Sequence, residues 1–345
     1  MEISTVSVFY VNSMLNSLAR RGHDASSLLV KIGINAEVLS NEKARVRTEQ
    51  FVALSENIIE ILKDENTGYL ETPTRPGTFG MMCYASIHRP TLGLFLQRGI
   101  DFYHTISDSY QLQLVPEGDY VNYVLTIKSD TFDPDNILPL TLLSVIHRLS
   151  CWIIGQSLSL KSVNFSHSRP QNAKDYNLLF KAPIIFDQPH NSLRFSLKQL
   201  ELPNRQSEQN LDDFLALPSL ALMSLPDYEN SLVDKIRMMI QKNVADHFPE
   251  FDTIAESLQL TSATLRRRLR TEGTSYQNIK DDIRRDTAIY LLSSGTKSIE
   301  QVAEDVGFTE PTSFYRAFKR WTGVTPRDYI KRTPNTDPST VAGSN

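Results

Sequence analysis

The feature that most constrains this chain is a repeat in its last third. Between Phe251 and Tyr329, a short helix, a tight turn and a second helix are written twice. In the first copy Asp252 stands where it can cap Thr253–Leu258, the pattern breaks at Gln259-Leu260, and Thr261 stands where it can cap Ser262–Arg270. In the second copy Ser298 and Gln301 have capping-box spacing ahead of Ile299–Val306. Gly307 then suits a left-handed turn, and Thr309–Arg320 has helical periodicity. Ala255 and Ala303 are small at the point where the two helices of each copy must approach. Helix, tight turn, helix is the helix-turn-helix arrangement.

Rotation by about 100° per residue separates the faces of the two second helices. Leu265 and Leu269 mark the buried side of the first, which turns Ala263, Arg267 and Arg270 outward and leaves Thr264 and Arg266 on the flanks. Phe314 and Phe318 mark the buried side of the other, with Thr312, Arg316 and Lys319 outward and Ser313 and Tyr315 flanking. In both helices a cation falls two and five residues after the first apolar anchor. Arg268 rotates toward a flank. Between the copies, Thr274 and Gln277 have capping-box spacing, and Tyr276, Ile279, Ile283, Thr287 and Leu291 form a helical stripe ending at Gly295. About 20 residues at about 1.5 Å each make a rod of roughly 30 Å. Successive major-groove faces of B-DNA lie roughly 34 Å apart. Such a rod can hold two reading helices in adjacent grooves of one non-palindromic site. On the rod, Lys280, Arg284 and Arg285 alternate with Asp281, Asp282 and Asp286, which predicts pairing within the helix.

Composition sets the frame for the rest. The chain has 345 residues, 40% of them apolar, enough for two domains with cores of their own and too many for a mainly disordered chain. Residues 1–227 hold 19 basic and 24 acidic side chains, and 228–345 hold 17 and 16, so nucleic-acid binding must come from clustering of cations, not from bulk charge. Two cysteines are too few for a disulfide framework, and the start lacks a secretory signal, which together point to the cytoplasm. The apolar stretch 137–160 carries His147 and Arg148 in its middle and reads as a core helix.

Helical spacing also appears at Val8–Leu18, Phe51–Ile61 and Leu92–His104. Alternation at Tyr110–Val115 and Tyr120–Ile127 around Pro116-Glu117-Gly118-Asp119 predicts a β-hairpin, and short strands are expected at Lys161–His167, Ile184–Asp187 and Leu193–Ser196. The expected fold class is thus an α+β N-terminal sensor domain (1–202), a linker (203–227), and an all-α C-terminal domain (228–332) in which a linker helix joins two helix-turn-helix units. Residues 333–345 read as a disordered tail.

The motif Ala303-x-x-Val306-Gly307-Phe308, followed by Ser313-Phe314-Tyr315-Arg316-x-Phe318-Lys319-Arg320 and Gly323-x-Thr325-Pro326-x-x-Tyr329, resembles the signature of AraC/XylS-type transcriptional regulators. Leu265-Arg266-Arg267-Arg268-Leu269-Arg270-x-Glu272-Gly273-Thr274-Ser275-Tyr276 matches the upstream unit of that family, with Gln259 in the first turn where the second has Gly307. The resemblance implies a sequence-specific DNA-binding regulator, usually an activator. By position it puts the base-reading sites on Ala263, Arg266 and Arg267 and on Thr312, Tyr315 and Arg316. Gly93–Ser109 and Lys161–Leu202, including Tyr176-x-x-x-Phe180-x-Ala182-Pro183, are similar to the sensor domain of the subfamily around the ornithine-utilisation regulators. That similarity implies a small-molecule effector and dimer contacts, without naming pocket residues.

The implied partners are operator or promoter DNA, an effector, RNA polymerase and a second copy of the chain, with no membrane. No nucleophile elbow, phosphate loop, dinucleotide fingerprint or metal-ligand spacing is written here, so no catalytic residue, metal or cofactor is expected. Asp133-Pro134-Asp135 reads as a turn. Arg89, Arg98, Arg148 and Arg169 are the cationic candidates for an anionic effector, while His88 reads first as a turn residue and only second as a pocket residue. The competing reading is an enzyme or small-molecule binding protein whose helical C-terminus docks a protein.

Overall fold

The computed structural model describes residues 5–128, 131–224, 232–241 and 248–330. The chain begins β1 (Thr5–Ser7), α1 (Val8–Arg20), α2 (Ser26–Ile32), α3 (Ala36–Leu39), β2 (Arg45–Arg47), α4 (Thr48–Leu62), α5 (Thr78–Ser86) and α6 (Leu92–Ile106). It continues through β3 (Tyr110–Glu117), β4 (Tyr120–Ile127), α7 (Ile137–Ile154), β5 (Leu160–Asn164), α8 (Ala173–Phe180), β6 (Ile184–Ile185) and β7 (Asn191–Ser196). After a 3-10 turn at Leu197–Glu201 come only helices: α9 (Glu208–Leu215), α10 (Pro218–Ser224), α11 (Leu232–Gln241), α12 (Phe251–Ser257), α13 (Ser262–Thr271), α14 (Tyr276–Ser294), α15 (Ile299–Asp305), α16 (Pro311–Thr322) and α17 (Pro326–Ile330). These form two compact units, one of residues 1–12, 24–54 and 230–345 and the other of 13–23 and 55–229.

The second of these units is the α+β part. Its sheet has the order β3-β4-β7-β5-β6, antiparallel except for the parallel β5–β6 pair. The expected hairpin is present, with strands extending through Pro116 and Glu117 so that only Gly118 and Asp119 turn. Alternate residues of β4 are buried, and Val121 and Tyr123 lie opposite Phe195 and Leu193 of β7. This is the two-residue period of a sheet with one covered face. α7 packs on β4 and β7. It is long and apolar enough to cross a membrane, yet 56% of it is buried inside the protein, as befits a core helix. Asp133 accepts the Ile137 and Leu138 amides at its start, so the acidic Asp133-Pro134-Asp135 stretch is a helix-entry turn. Gly155, in a left-handed conformation (φ 64°), ends α7 short of the end of the apolar stretch 137–160.

One stretch differs from the sequence reading. Within the expected linker, residues 203–224 do not run as an open chain, because Ser207 caps α9 and α9 buries Leu211 and Phe214, the latter stacked 4.5 Å from the Trp152 ring. Two apolar side chains in a polar stretch were enough to dock it. Residues 24–54 pack in the same compact unit as the C-terminal helices. The tail expected at 333–345 lies outside the described residues.

In that helical unit, β1 and β2 form a two-stranded antiparallel ribbon, Val6 opposite Val46. An isolated ribbon of this size is not stable in water. Here it is tied to α14: the Thr5 hydroxyl donates to the buried Asp286 carboxylate at 2.6 Å, and Arg45 donates to the Thr5 hydroxyl at 2.7 Å. The Tyr329 hydroxyl donates to the Arg45 carbonyl at 2.8 Å, and the Asn35 amide donates to the Asp328 carbonyl at 3.0 Å. Arg285 completes the network with Asp286 and Asp282, both at 2.9 Å. We expect Asp286→Ala to cost about 2–3 kcal/mol, because it strips a half-buried Arg285 of one anion and Thr5 of its acceptor, and Thr5→Val to cost about 1 kcal/mol. Urea denaturation of the full-length chain measures both.

Candidate nucleic-acid interface

Each helix-turn-helix unit has its own core. The first gathers Ile254, Ala255, Leu265, Leu269, Tyr276, Ile279 and Ile283, with Ile236 and Ile240 of α11. The second gathers Ala288, Ile289, Leu292, Val302, Ala303, Val306, Phe314 and Phe318. Ala255 and Ala303 are each 1% exposed, as a close approach of helices at these positions requires.

Caps fix where the helices start. Thr261 caps α13 by accepting the Thr264 amide, and Ser298 with Gln301 forms a complete capping box on α15. Two caps differ from expectation. α12 starts at Phe251 after Glu250, and Asp252 accepts a hydrogen bond from the Ser262 hydroxyl across the turn. α14 is capped by Ser275, which accepts the Asn278 amide, so the Thr274–Gln277 pairing does not form. α16 begins at Pro311, two residues late, since proline is well suited to the first helical position.

The two turns share one handedness despite different residues. Gly307 has φ 80° and Gln259 has φ 55°. A non-glycine residue there pays roughly 1–2 kcal/mol of steric strain.

The outward faces are those the rotation predicts. α13 buries only Leu265 and Leu269, leaving Ala263, Arg266, Arg267 and Arg270 exposed and Thr264 half-buried. α16 buries Phe314, Ala317, Phe318 and Thr322, leaving Thr312, Arg316 and Lys319 exposed and Ser313 and Tyr315 half-buried. Thr264 is engaged by the Thr261 hydroxyl at 2.9 Å, Arg266 lies 5.2 Å from the Phe251 ring centroid, and Tyr315 packs against the second core. Among the described residues, the side chains of Arg267, Arg270, Arg316 and Lys319 make no ion pair or hydrogen bond with the protein, and Arg267 is engaged only at its carbonyl, by the Thr271 hydroxyl. Four exposed cations without a protein anion are ready for phosphates or base edges. Arg268 is exposed beside Leu232, Leu258 and Leu260, off the outward face.

The linker helix departs from its expected pairing at Lys280, Asp281 and Arg284. Arg285 pairs within the helix, but Lys280 lies 4.8 Å from the Tyr276 ring centroid and Asp281 pairs with Arg320 of α16 at 3.3 Å. Arg284 turns away from the acids to the Val306 carbonyl at 3.1 Å. Burial presses its pKa below the ordinary arginine value against the pull of Asp281. No residue spacing in the sequence signals that contact.

The α+β unit carries an open cleft of about 890 Å³ between the 70–78 loop, Phe102, the 106–109 segment and Lys128. Its loop is held in shape from below: Asp64 accepts the amides of Asn66, Gly68 and Thr74, and Glu65 accepts those of Gly77 and Phe79. Burial raises the Glu65 pKa against those two bonds. Arg75 and Lys128 are the cleft's cations, while His88, Arg89, Arg98, Arg148 and Arg169 do not line it. Among the described residues no group of His, Cys, Asp and Glu side chains is placed to hold a metal.

Residues 22–204 match the model of the arabinose-binding domain of AraC transcription regulators, and residues 254–332 match a helix-turn-helix domain. The chain belongs to the AraC family of transcription regulators. It is 24% identical over 326 residues to the ornithine utilization regulator of Pseudomonas aeruginosa, covering 94% of this chain and 96% of that one. It is 25% identical to the virulence regulon transcriptional activator VirF of Shigella flexneri, covering 65% and 86%. Among solved structures, the transcriptional regulator CdpR from Pseudomonas aeruginosa matches at 21% identity and a TM-score of 0.32, covering 93% and 98%. This AraC-family regulator therefore joins an N-terminal domain of the ligand-binding type to a C-terminal helix-turn-helix region.

Two outcomes test the geometry. Gln259→Gly should stabilise the protein by up to about 1 kcal/mol by relieving the left-handed strain, and Gly307→Ala should destabilise it by about 1–2 kcal/mol. Both are read from denaturant midpoints. Arg267→Ala and Arg316→Ala should leave those midpoints unchanged while each weakens specific DNA binding by roughly 1–3 kcal/mol, measured by fluorescence anisotropy at fixed salt.

Proposed function

We propose that this regulator is a cytoplasmic transcription activator, without enzymatic activity, that reads one asymmetric operator with α13 and α16 in successive major grooves. The observation that carries this reading is the pair of exposed faces without anion partners among the described residues: Arg267 and Arg270 on one helix, Arg316 and Lys319 on the other. α14, at 19 residues, spans about 28 Å, close to the roughly 34 Å between groove faces. Arg266, Arg267 and Arg316 read bases, Ala263 offers a methyl group to thymine, and Thr264, Thr312, Ser313 and Tyr315 supply short polar contacts. Arg270 and Lys319 hold phosphates. Activation is favoured by the similarity to a protein named as a transcriptional activator. RNA polymerase is then the partner recruited, and a second copy of the chain supplies the second half of a dimer.

A small effector bound to the N-terminal domain controls the switch. It does so by binding more tightly to one of two states of the regulator, since equal affinity would shift nothing. The ties from Thr5, Asn35 and Arg45 to α14 and α17 support this reading, because N-terminal residues are part of the unit that contacts DNA.

The test is selection of bound sequences from a random DNA pool by the full-length protein, followed by titration of salt. Two half-motifs about one helical turn apart, bound with an affinity that falls steeply with salt, are the expected result. Retention of no DNA, or salt-insensitive binding, would favour the protein-docking reading instead.

A further inference from the structure

Arg284 sits halfway along α14, between the two helix-turn-helix units, and touches both. Its Nε donates to the carbonyl of Val306, the last residue before the turn of the second unit. Its guanidinium carbon lies 4.4 Å from the ring centroid of Phe248 and 5.2 Å from that of Phe308. Phe248 packs against the core of the first unit and Phe308 against the core of the second. The approach is close: a Cβ added to Gly307 would stand 3.5 Å from a guanidinium nitrogen of Arg284 and 3.5 Å from the Phe248 ring. A second tie from α14 to α16, between Asp281 and Arg320, is 68% exposed on the arginine side and so adds little.

We propose that Arg284 is a positioning residue that fixes the rotation of the second helix-turn-helix unit relative to the first, and with it the spacing of half-motifs that the protein accepts. The inference rests on the two-groove reading above. A planar guanidinium is suited to the task because it stacks on rings and donates in a fixed direction, which a lysine ammonium does not. Each core holds its own helices against α14, Ile283 being in the first and Ala288 in the second, so the turn of rod between them is where one unit can twist against the other. A half-buried fork that grips the turn of one unit and a ring of the other removes that freedom. One base pair of added spacing rotates a half-motif by about 35°, so a braced pair of reading helices tolerates little change and a loose pair tolerates more.

The experiment uses the full-length protein and its selected operator, with the half-motifs at native spacing, one base pair closer, and one base pair farther apart. A duplex with a single half-motif is the control. The parent is expected to prefer native spacing by about tenfold or more, and Arg284→Met to show a preference within about threefold. Binding to the single half-motif and its salt dependence should match the parent's, since Arg284 is not placed on the reading face. Arg284→Lys should behave as Arg284→Met does. Full spacing preference in Arg284→Met or in Arg284→Lys would overturn the proposal. So would a loss of binding of equal size on every duplex, which is what a merely structural residue gives. If Arg284→Met does not fold, Phe308→Leu, which removes one ring from beneath the guanidinium, must relax the spacing preference or the proposal falls. A parent with no spacing preference would overturn the two-groove reading and this proposal together, whereas a parent with a preference that the variants keep overturns the role of Arg284 alone.

Discussion

The interface depends on how little of α13 and α16 is buried. Two leucines anchor the first helix, and two phenylalanines with a flanking alanine and threonine anchor the second. Fully burying a side chain of this size stabilises by roughly 1.5–3 kcal/mol. A pair per helix holds it down without covering its sides. The remaining circumference can carry charge at no cost in desolvation, and both helices carry cations on it. The same economy makes the units small, which is why the turn conformation, the caps and the contacts from α14 matter to their shape.

The N-terminal ribbon shows a second consequence of small cores. β1 and β2 are three residues each and cannot stand alone. Their ties to Asp286, and that of Tyr329 back to Arg45, join the start of the chain to its far end. In a regulator whose N-terminal domain is of the ligand-binding type, such ties give an effector-dependent change a physical object to act on: a carboxylate on the linker helix shared between Thr5 and Arg285.

Much of this was written in the local pattern. Apolar spacing located α1, α4, α6, α7 and α14, alternation located the β3–β4 hairpin, and rotation of two short helices separated Leu265, Leu269, Phe314 and Phe318 from the cations opposite them. These are properties of a few neighbouring residues and of fixed helical and strand periods, so a linear reading recovers them. Caps were less legible. Thr261 and Ser298 were found, but Asp252 and Thr274 were displaced by Glu250 and Ser275, because several polar residues stand near each helix start and packing chooses among them.

The sequence by itself determined the two helix-turn-helix units, the face each presents and the family they belong to, since periodicity and motif spacing are short-range information. Only the tertiary structure decided that residues 24–54 pack in one compact unit with the C-terminal helices, that 207–224 fold into docked helices, and that Arg284 leaves its helical neighbours for Val306, Phe248 and Phe308. Those outcomes are contacts between residues far apart in the chain. An arginine three places from an aspartate looks the same on paper whether it pairs with it or not, and only the half-buried rings and the Val306 carbonyl around it settle which it does.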